Sequence, residues 1–344
     1  MKRILKNVLG ERNVARLRSL LRKRPKEEGP FFDFIATDVT SNCNLRCPFC
    51  INDFTQIHGN TLMSGENMEK AASLVPLVSA NTFFASCLFE PFLHPAFVDY
   101  IEMIPKPFRP KVFFSTSLTL PIGDDVFKRL RDSEIGYINI SVDSLDPVLY
   151  AMLRRGAKYE VFMNNLQRLV KIFSQKPTSA LLKYITMALQ DNYKEIPNLM
   201  AACRNSFLSS FHEVRFVYET EHYPLEWKER HLLSNRQWEE LVNTCSTLPY
   251  PHAVVPPPAI YFPDDDRPYS RNRELYGDGS PNPQRPKPGF GLNINSAGSV
   301  TLFGFKDMRY DLRDITDPCG FFRSQLPFLR EVYDTRIIGE KRKS

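Results

Sequence analysis

Between about residue 31 and about residue 218, short apolar runs alternate with helical patterns. This alternation limits what the chain can fold into more than any other feature of it. The strand-like runs are 31–39, 82–88, 111–117, 137–142, 181–189 and 213–218. Helical patterns fall between them at 64–78, 95–104, 125–132, 146–173 and 192–203. Repeated βα units imply a parallel sheet with right-handed crossovers and helices on its outer face. Six of them predict an α/β fold, a partial (β/α)6 TIM-like barrel. In such folds ligands sit at the C-terminal ends of the strands.

The loop that leaves the first strand carries Cys43, Cys47 and Cys50 in a C-x-x-x-C-x-x-C spacing. Three thiolates on one loop can hold three irons of a [4Fe–4S] cube and leave the fourth iron open for chemistry. Ordinary electron-transfer clusters take four protein thiolates. Structural zinc is the alternative, but zinc favours four ligands, commonly as two close pairs. Here only Cys47 and Cys50 form such a pair, and no histidine follows at finger spacing. The remaining cysteines, Cys87, Cys203, Cys245 and Cys319, are single and far apart. That excludes a disulfide framework and suits a reducing cytoplasm.

In the 344 residues there is no run of about 18 apolar residues, so no membrane span is expected. The N-terminus lacks the apolar stretch of a secretory signal, which makes a cytoplasmic location the expectation. Residues 1–30 are basic, with Ile4, Leu5, Val8, Leu9, Leu17, Leu20 and Leu21 at helical spacing. This segment reads as a helix whose basic face is either solvated or in peripheral contact with an anionic membrane. The net charge of +6 is mild and compatible with docking of an acidic electron donor. No phosphate loop, nucleophile elbow or nucleic-acid motif is evident.

Four segments follow: the basic 1–30, the barrel 31–218, a helix with a Pro-rich linker or lid at 219–290, and an extension with a tail at 291–344. Residues 235–245 have a helical pattern, and 292–302 alternate around a Gly-containing turn as a hairpin does. The fold expected is therefore the partial barrel with a small, hairpin-containing C-terminal extension.

In the order of its motifs, the stretch 31–218 resembles the radical S-adenosylmethionine (SAM) superfamily. The cysteine loop has the aromatic Phe49 before its last cysteine. Leu88-Phe89-Glu90-Pro91 stands where that family has Gly-Gly-Glu-Pro. Ser115-Thr116-Ser117 ends the third strand. Ser141-Val142-Asp143-Ser144 and Leu153-Arg154-Arg155-Gly156 follow the fourth. The resemblance implies one [4Fe–4S] cluster on Cys43, Cys47 and Cys50. It also implies SAM held by Phe49, Glu90, Ser115, Ser117, Ser141 and Arg155, with Arg154 as the competing arginine. A guanidinium suits the SAM carboxylate because it can bind it bidentately. The 291–344 extension resembles the start of a SPASM or Twitch domain. With only Cys245 and Cys319 beyond residue 218, it lacks the cysteines of an auxiliary cluster.

The activity implied is reductive cleavage of SAM by an external reductant such as flavodoxin or ferredoxin. The resulting 5′-deoxyadenosyl radical takes a hydrogen atom from substrate. The ~30 residues before the first strand are too few for a peptide-recognition domain. A small molecule is thus the expected substrate: a sugar, nucleotide or lipid-linked glycan. Lacking an auxiliary acceptor, the chemistry leans towards a redox-neutral outcome such as epimerisation, with a thiol as hydrogen donor. Cys319, read as a loop cysteine, is the first candidate donor. Cys87 is expected to face the outer helices, and Cys203 and Cys245 to sit in helical core. A dehydrogenase, lyase or peptide-modifying enzyme is the alternative reaction class. A cluster- or SAM-binding sensor or assembly protein is the non-enzymatic one.

Overall fold

The computed structural model describes residues 31–50, 52, 58–217, 223–255, 289–303 and 305–342. The basic N-terminal helix and most of the Pro-rich stretch therefore lie outside the described residues. Seven strands lie side by side in chain order and all parallel: β1 (Phe34–Thr37), β2 (Phe83–Ser86), β3 (Val112–Thr116), β4 (Tyr137–Ser141), β5 (Leu181–Ala188), β6 (Phe211–Phe216) and β7 (His252–Val255). β7 is a seventh parallel strand inside the stretch read as a linker. The prolines that follow it dominate that stretch's composition and mask four residues of strand.

Beyond β1 the sheet continues through β8 (Gly291–Ile294), which pairs with it in parallel. The antiparallel β9 (Ser299–Leu302) and β10 (Phe305–Asp311) follow. The ten-stranded sheet ends at β10 on one side and β7 on the other, so it does not close. The expected hairpin is β8–β9. Its turn needs Gly298, at φ +87°, because a Cβ there would lie 2.5 Å from the Asn67 amide.

Helices cover the outer face: α1 (Gly65–Ala72), α2 (Phe97–Met103), α3 (Asp124–Asp132), α4 (Pro147–Leu153), α5 (Tyr159–Ser174), α6 (Ile196–Ser206), α7 (Leu225–His231), α8 (Asn235–Ser246) and α9 (Pro318–Arg342). Local chemistry sets their starts. Ser64 caps α1, accepting a hydrogen bond from the Asn67 amide at 3.2 Å. Asp146 caps α4 and Pro147 occupies its first turn. Ser234 and Gln237 form a reciprocal capping box on α8. The predicted helix 146–173 is broken in two at Gly156, which adopts φ +96°.

Strand alternation sends one face outward into the core and the other into the concave interior. Ile35, Phe83, Phe114, Ile138, Ile140 and Tyr184 are buried outward beneath the helices. The opposite parity places Phe34, Asp38, Phe84, Phe113, Ser115, Tyr137, Lys183, Glu213 and Arg215 on the inner wall. No described helix is long and apolar enough to cross a membrane.

Candidate functional site

The loop after β1 holds the three cysteines, and short-range hydrogen bonds shape it. The Asn42 amide donates to Thr40 Oγ1 at 3.2 Å, the Cys43 amide to Asn42 Oδ1 at 2.9 Å, and the Cys50 amide to the Cys47 carbonyl at 2.9 Å. Three neighbours clamp the loop from outside. Asn44 donates to Thr119 Oγ1 at 2.9 Å, the Arg46 amide to the Arg155 carbonyl at 2.8 Å, and the Tyr223 hydroxyl to the Phe49 carbonyl at 2.6 Å. Cys47 is buried, and Cys43 and Cys50 are partly so.

Burial pushes the Cys43 thiol up to about 11 and the Cys47 thiol up to about 12; Cys50 adds to both shifts, and Cys43 adds to that of Cys47. Without a metal Cys43 and Cys47 are thiols at neutral pH, so loading a cluster releases protons. Among the described residues, no three His, Cys, Asp or Glu side chains converge on a point that one ion could fill. Thiolates on a cube each bind a different iron and need no common point.

Glu90, at the turn after β2, is 3% exposed. Its Oε1 accepts from Thr116 Oγ1 at 2.8 Å, and its Oε2 from the Ser117 amide at 2.8 Å and hydroxyl at 2.7 Å. The Phe92 amide, at 3.4 Å from Oε1, is the weakest donor. Burial pushes this carboxyl up, and the bonds from Ser117, Thr116 and Phe92 pull it down. Ser117 therefore contacts Glu90 directly and orients it. Ser115 accepts a long bond of 3.5 Å from Asn139 on the inner wall. Ser141 lies half-buried at the end of β4.

The two arginines separate. Arg155 is exposed, and its carbonyl anchors the cysteine loop. Arg154 is buried, with Nε 2.6 Å from Asp143 Oδ2, its guanidinium 5.3 Å from the centre of the Phe49 ring, and Nη1 4.0 Å from Cys47 Sγ. The Arg154–Asp143 contact is close but poorly aligned, a charge pair more than a hydrogen bond. Burial pushes the Asp143 carboxyl up, and the Arg154 charge pulls it the other way. Asp143 is itself held by the Met187 amide at 2.8 Å. Asn192 donates to the Asp143 carbonyl at 2.9 Å. The sequence singled out neither the Asp143–Arg154 pair nor the clamps from Asn44, Thr119 and Tyr223. The only available signal was that Asp143 and Arg154 stand inside motifs already noted.

Below this rim the inner-wall side chains line the concave side of the open sheet, hereafter the chamber. Its floor is a run of side chains crossing neighbouring strands: the Phe84 and Phe113 rings 3.7 Å apart, Phe113 stacked on Tyr137 at 4.3 Å, and Lys183 Nζ 3.6 Å over Tyr137 and 5.7 Å from Phe211. Above the floor stand Asp38, Glu213 and Arg215. Arg215 Nε pairs with Glu213 Oε1 at 2.5 Å. Asp38 Oδ1 accepts from the Cys87 and Leu88 amides at 3.0 and 2.8 Å. Even so, burial lifts its carboxyl to about 7.

Two expectations about cysteines are corrected. Cys87 is open at its surface and feels the charges of Asp38 and Arg215. Arg215 belongs to β6, four strands from β2, so that interaction crosses the chamber. Cys87 thus faces inward: the β2–β3 register shifts between Phe84 and Ser86, and the parity counted back from Glu90 no longer holds. Cys319 is not in a loop but in the first turn of α9, packed on the outer core, and its electrostatic neighbours are Arg323 and Asp317. Cys203 and Cys245 are buried in α6 and α8, as expected.

Comparison with known proteins agrees with this layout. Residues 37–203 match the model of the Radical SAM superfamily. A probable GTP 3′,8-cyclase of Methanocaldococcus jannaschii is 25% identical over 167 residues, 48% of this chain and 53% of that protein. A GTP 3′,8-cyclase of Clostridium perfringens is 25% identical over 195 residues, 55% of this chain and 56% of that protein. The chain thus spans about half the length of the curated relatives it matches. Among solved structures, Streptococcus suis SuiB bound to S-adenosylmethionine superimposes with a TM-score of 0.59 at 13% identity, covering 90% of this chain and 70% of that one. Native anSMEcpe with bound AdoMet gives 0.54 at 13% identity, covering 84% and 82%. These two likenesses concern the fold.

Proposed function

With residues 37–203 forming a radical SAM domain, whose cofactors are a [4Fe–4S] cluster and SAM, we propose that the chain is a radical SAM enzyme acting on a nucleotide or a related small polar molecule. The observation that carries this reading is the rim itself, where the cysteine loop, Glu90 and Arg154 meet above a walled, polar chamber. Cys43, Cys47 and Cys50 are the cluster ligands. Glu90, oriented by Thr116 and Ser117, receives the SAM amino group at Oε1, whose second acceptor position beside the Thr116 bond is taken by no more than the long Phe92 amide contact. Ser115, Ser141 and Arg155 border the rest of SAM, and Phe49 lies beneath the cluster loop.

When bound, the cluster and SAM supply one-electron cleavage of SAM to methionine and a 5′-deoxyadenosyl radical. The chain's residues shield and aim that chemistry. The aromatic floor closes the chamber from below, and Asp38, Lys183, Glu213 and Arg215 give a polar substrate its partners. A nucleotide is favoured because the curated relatives are named GTP 3′,8-cyclases, and its phosphates and base match Lys183 and the ring floor. The electron comes from an external reductant of the flavodoxin or ferredoxin kind. The test is anaerobic incubation with SAM, dithionite and a panel of nucleotides and nucleotide sugars. 5′-Deoxyadenosine formation stimulated by a nucleotide supports the reading; stimulation by none of them contradicts the substrate class.

A second reading is favoured by the inward position of Cys87. In a redox-neutral epimerisation the substrate radical takes the hydrogen atom of a thiol, leaving a thiyl radical. One electron from the same reductant and one proton from water restore it. Cys87 faces the chamber, whereas Cys319 packs away from it, so Cys87 is the donor proposed ahead of Cys319. Epimerisation in D₂O places deuterium at the inverted carbon, and Cys87→Ala stops product formation while 5′-deoxyadenosine is still released.

A further inference from the structure

The Arg154–Asp143 pair has no part in the chemistry assigned above, yet it is placed against the cluster loop with unusual care. Arg154 ends α4, where the chain turns through Gly156. A Cβ on Gly156 would lie 3.3 Å from the Asn44 carbonyl, so this turn rests directly on the cysteine loop. The Arg46 amide bonds the Arg155 carbonyl at 2.8 Å and locks the two segments together. The guanidinium is thereby brought over the Phe49 ring and to 4.0 Å from Cys47 Sγ, with only 8% of the residue exposed. On its other side the Asp143 carboxylate, wholly shielded from solvent, stands 2.6 Å from Nε. Asp143 cannot swing away, because the Met187 amide holds its second oxygen at 2.8 Å.

Charge this close to a cluster ligand acts on the equilibrium between its oxidised and reduced forms. Adding one electron to a three-thiolate cluster adds one negative charge and no proton. A nearby cation favours the reduced form, and a nearby anion disfavours it; hydrogen bonds to ligand sulfur act in the cation's direction. Burial strengthens both effects, since little water screens them. Arg154 lies between Asp143 and the sulfur, so its charge is the nearer one.

We propose that Arg154 and Asp143 are an opposed pair of positioning residues that set the reduction potential of the cluster, Arg154 raising it and Asp143 limiting that rise. The proposal rests on the reading that Cys43, Cys47 and Cys50 carry the cluster.

The test is an EPR-monitored redox titration of the anaerobically reconstituted full chain, without substrate, alongside iron and sulfide analysis. Wild type turning brown and giving a reduced-cluster signal establishes the underlying reading, whatever the variants do. Arg154→Gln is expected to move the potential to more negative values, Asp143→Asn to more positive ones, and Arg154→Lys to leave it near wild type. Opposite shifts are not what loosened packing alone produces, because general disorder moves both variants the same way. The proposal is overturned if Arg154→Gln and Asp143→Asn shift together or not at all. It is also overturned if Arg154→Lys, which keeps the charge, moves as far as Arg154→Gln. Should one variant fail to take up iron, the direction of the other's shift decides.

Discussion

Ser117 holds the Glu90 carboxylate twice over, through its amide at 2.8 Å and its hydroxyl at 2.7 Å. Together with Thr116 it spends most of the carboxylate's acceptor positions inside the protein. Glu90 is thus fixed before any ligand arrives, and its rotamer needs no ordering on binding.

Removing one of those bonds tests the arrangement. Ser117→Ala deletes a donor to a buried charged group, a change worth about 1.5–3 kcal/mol. Urea unfolding should show a loss of that size, and the SAM dissociation constant should rise with little change in cluster content. The acid sensitivity moves as well. Burial raises the Glu90 pKa and the Ser117 bonds lower it, so losing the hydroxyl raises it further. The charged carboxylate then disappears at a higher pH on acidification. The acid limb of SAM binding should shift upward in Ser117→Ala, and an unshifted limb means that Glu90 is not the titrating group.

Gly156 links the α4–α5 turn to the cysteine loop. At φ +96° any side chain is strained by about 1–3 kcal/mol, and here a Cβ also presses on the Asn44 carbonyl. Gly156→Ala should lower both the melting temperature and the iron bound per chain after reconstitution. Full iron content in a destabilised variant means that the turn supports the fold but not the loop.

The rim and the parallel strands β1 to β6 were legible from sequence because their signals are local. The three cysteines fall within eight residues, and strand alternation with helical spacing marked β1 to β6 to within a few residues. What escaped notice depends on pairings across the fold. Asp143 and Arg154 meet only because the helix breaks at Gly156, and uninterrupted helical spacing hid that break. Cys87 turns inward through a register shift that parity cannot anticipate. α9 begins with Pro318 and Gly320 and contains Pro327, residues that read as loop, so Cys319 was assigned to one.

His212 supplies a stability prediction remote from the site. Its ring is 1% exposed, and Nε2 lies 2.8 Å from Thr186 Oγ1. Thr186 spends its own proton on the Val142 carbonyl at 2.6 Å. His212 must then donate from Nε2, and its buried Nδ1 has no acceptor among the described residues to receive a second proton, so the ring is neutral. Burial, and next the neighbouring His252, push its pKa down to about 3. The unfolded chain takes up a proton near pH 6.5, and the folded one does not until about 3. Folding free energy should therefore be level above 6.5 as far as this group is concerned and fall on acidification from 6.5 towards 3. His212→Gln should flatten that slope in urea titrations across the range. An unchanged slope assigns the acid sensitivity to other groups.

The chamber makes its own prediction about polarity. Lys183 lies over the Tyr137 ring, and burial lowers its pKa. Lys183→Met keeps the packing and removes the charge. The nucleotide reading expects a raised KM for substrate with an unaltered rate of uncoupled 5′-deoxyadenosine release. An unchanged KM for every active nucleotide removes Lys183 from the substrate's partners.

The central claim is that the loop of Cys43, Cys47 and Cys50 binds a SAM-cleaving cluster, and the most direct measurement is the fate of SAM on the reconstituted protein. Anaerobic loading with iron and sulfide should give a brown protein, and adding dithionite and SAM should release 5′-deoxyadenosine and methionine in equal amounts. Cys47→Ala, lacking one ligand, should do neither. A colourless protein that takes up zinc and leaves SAM intact contradicts the account.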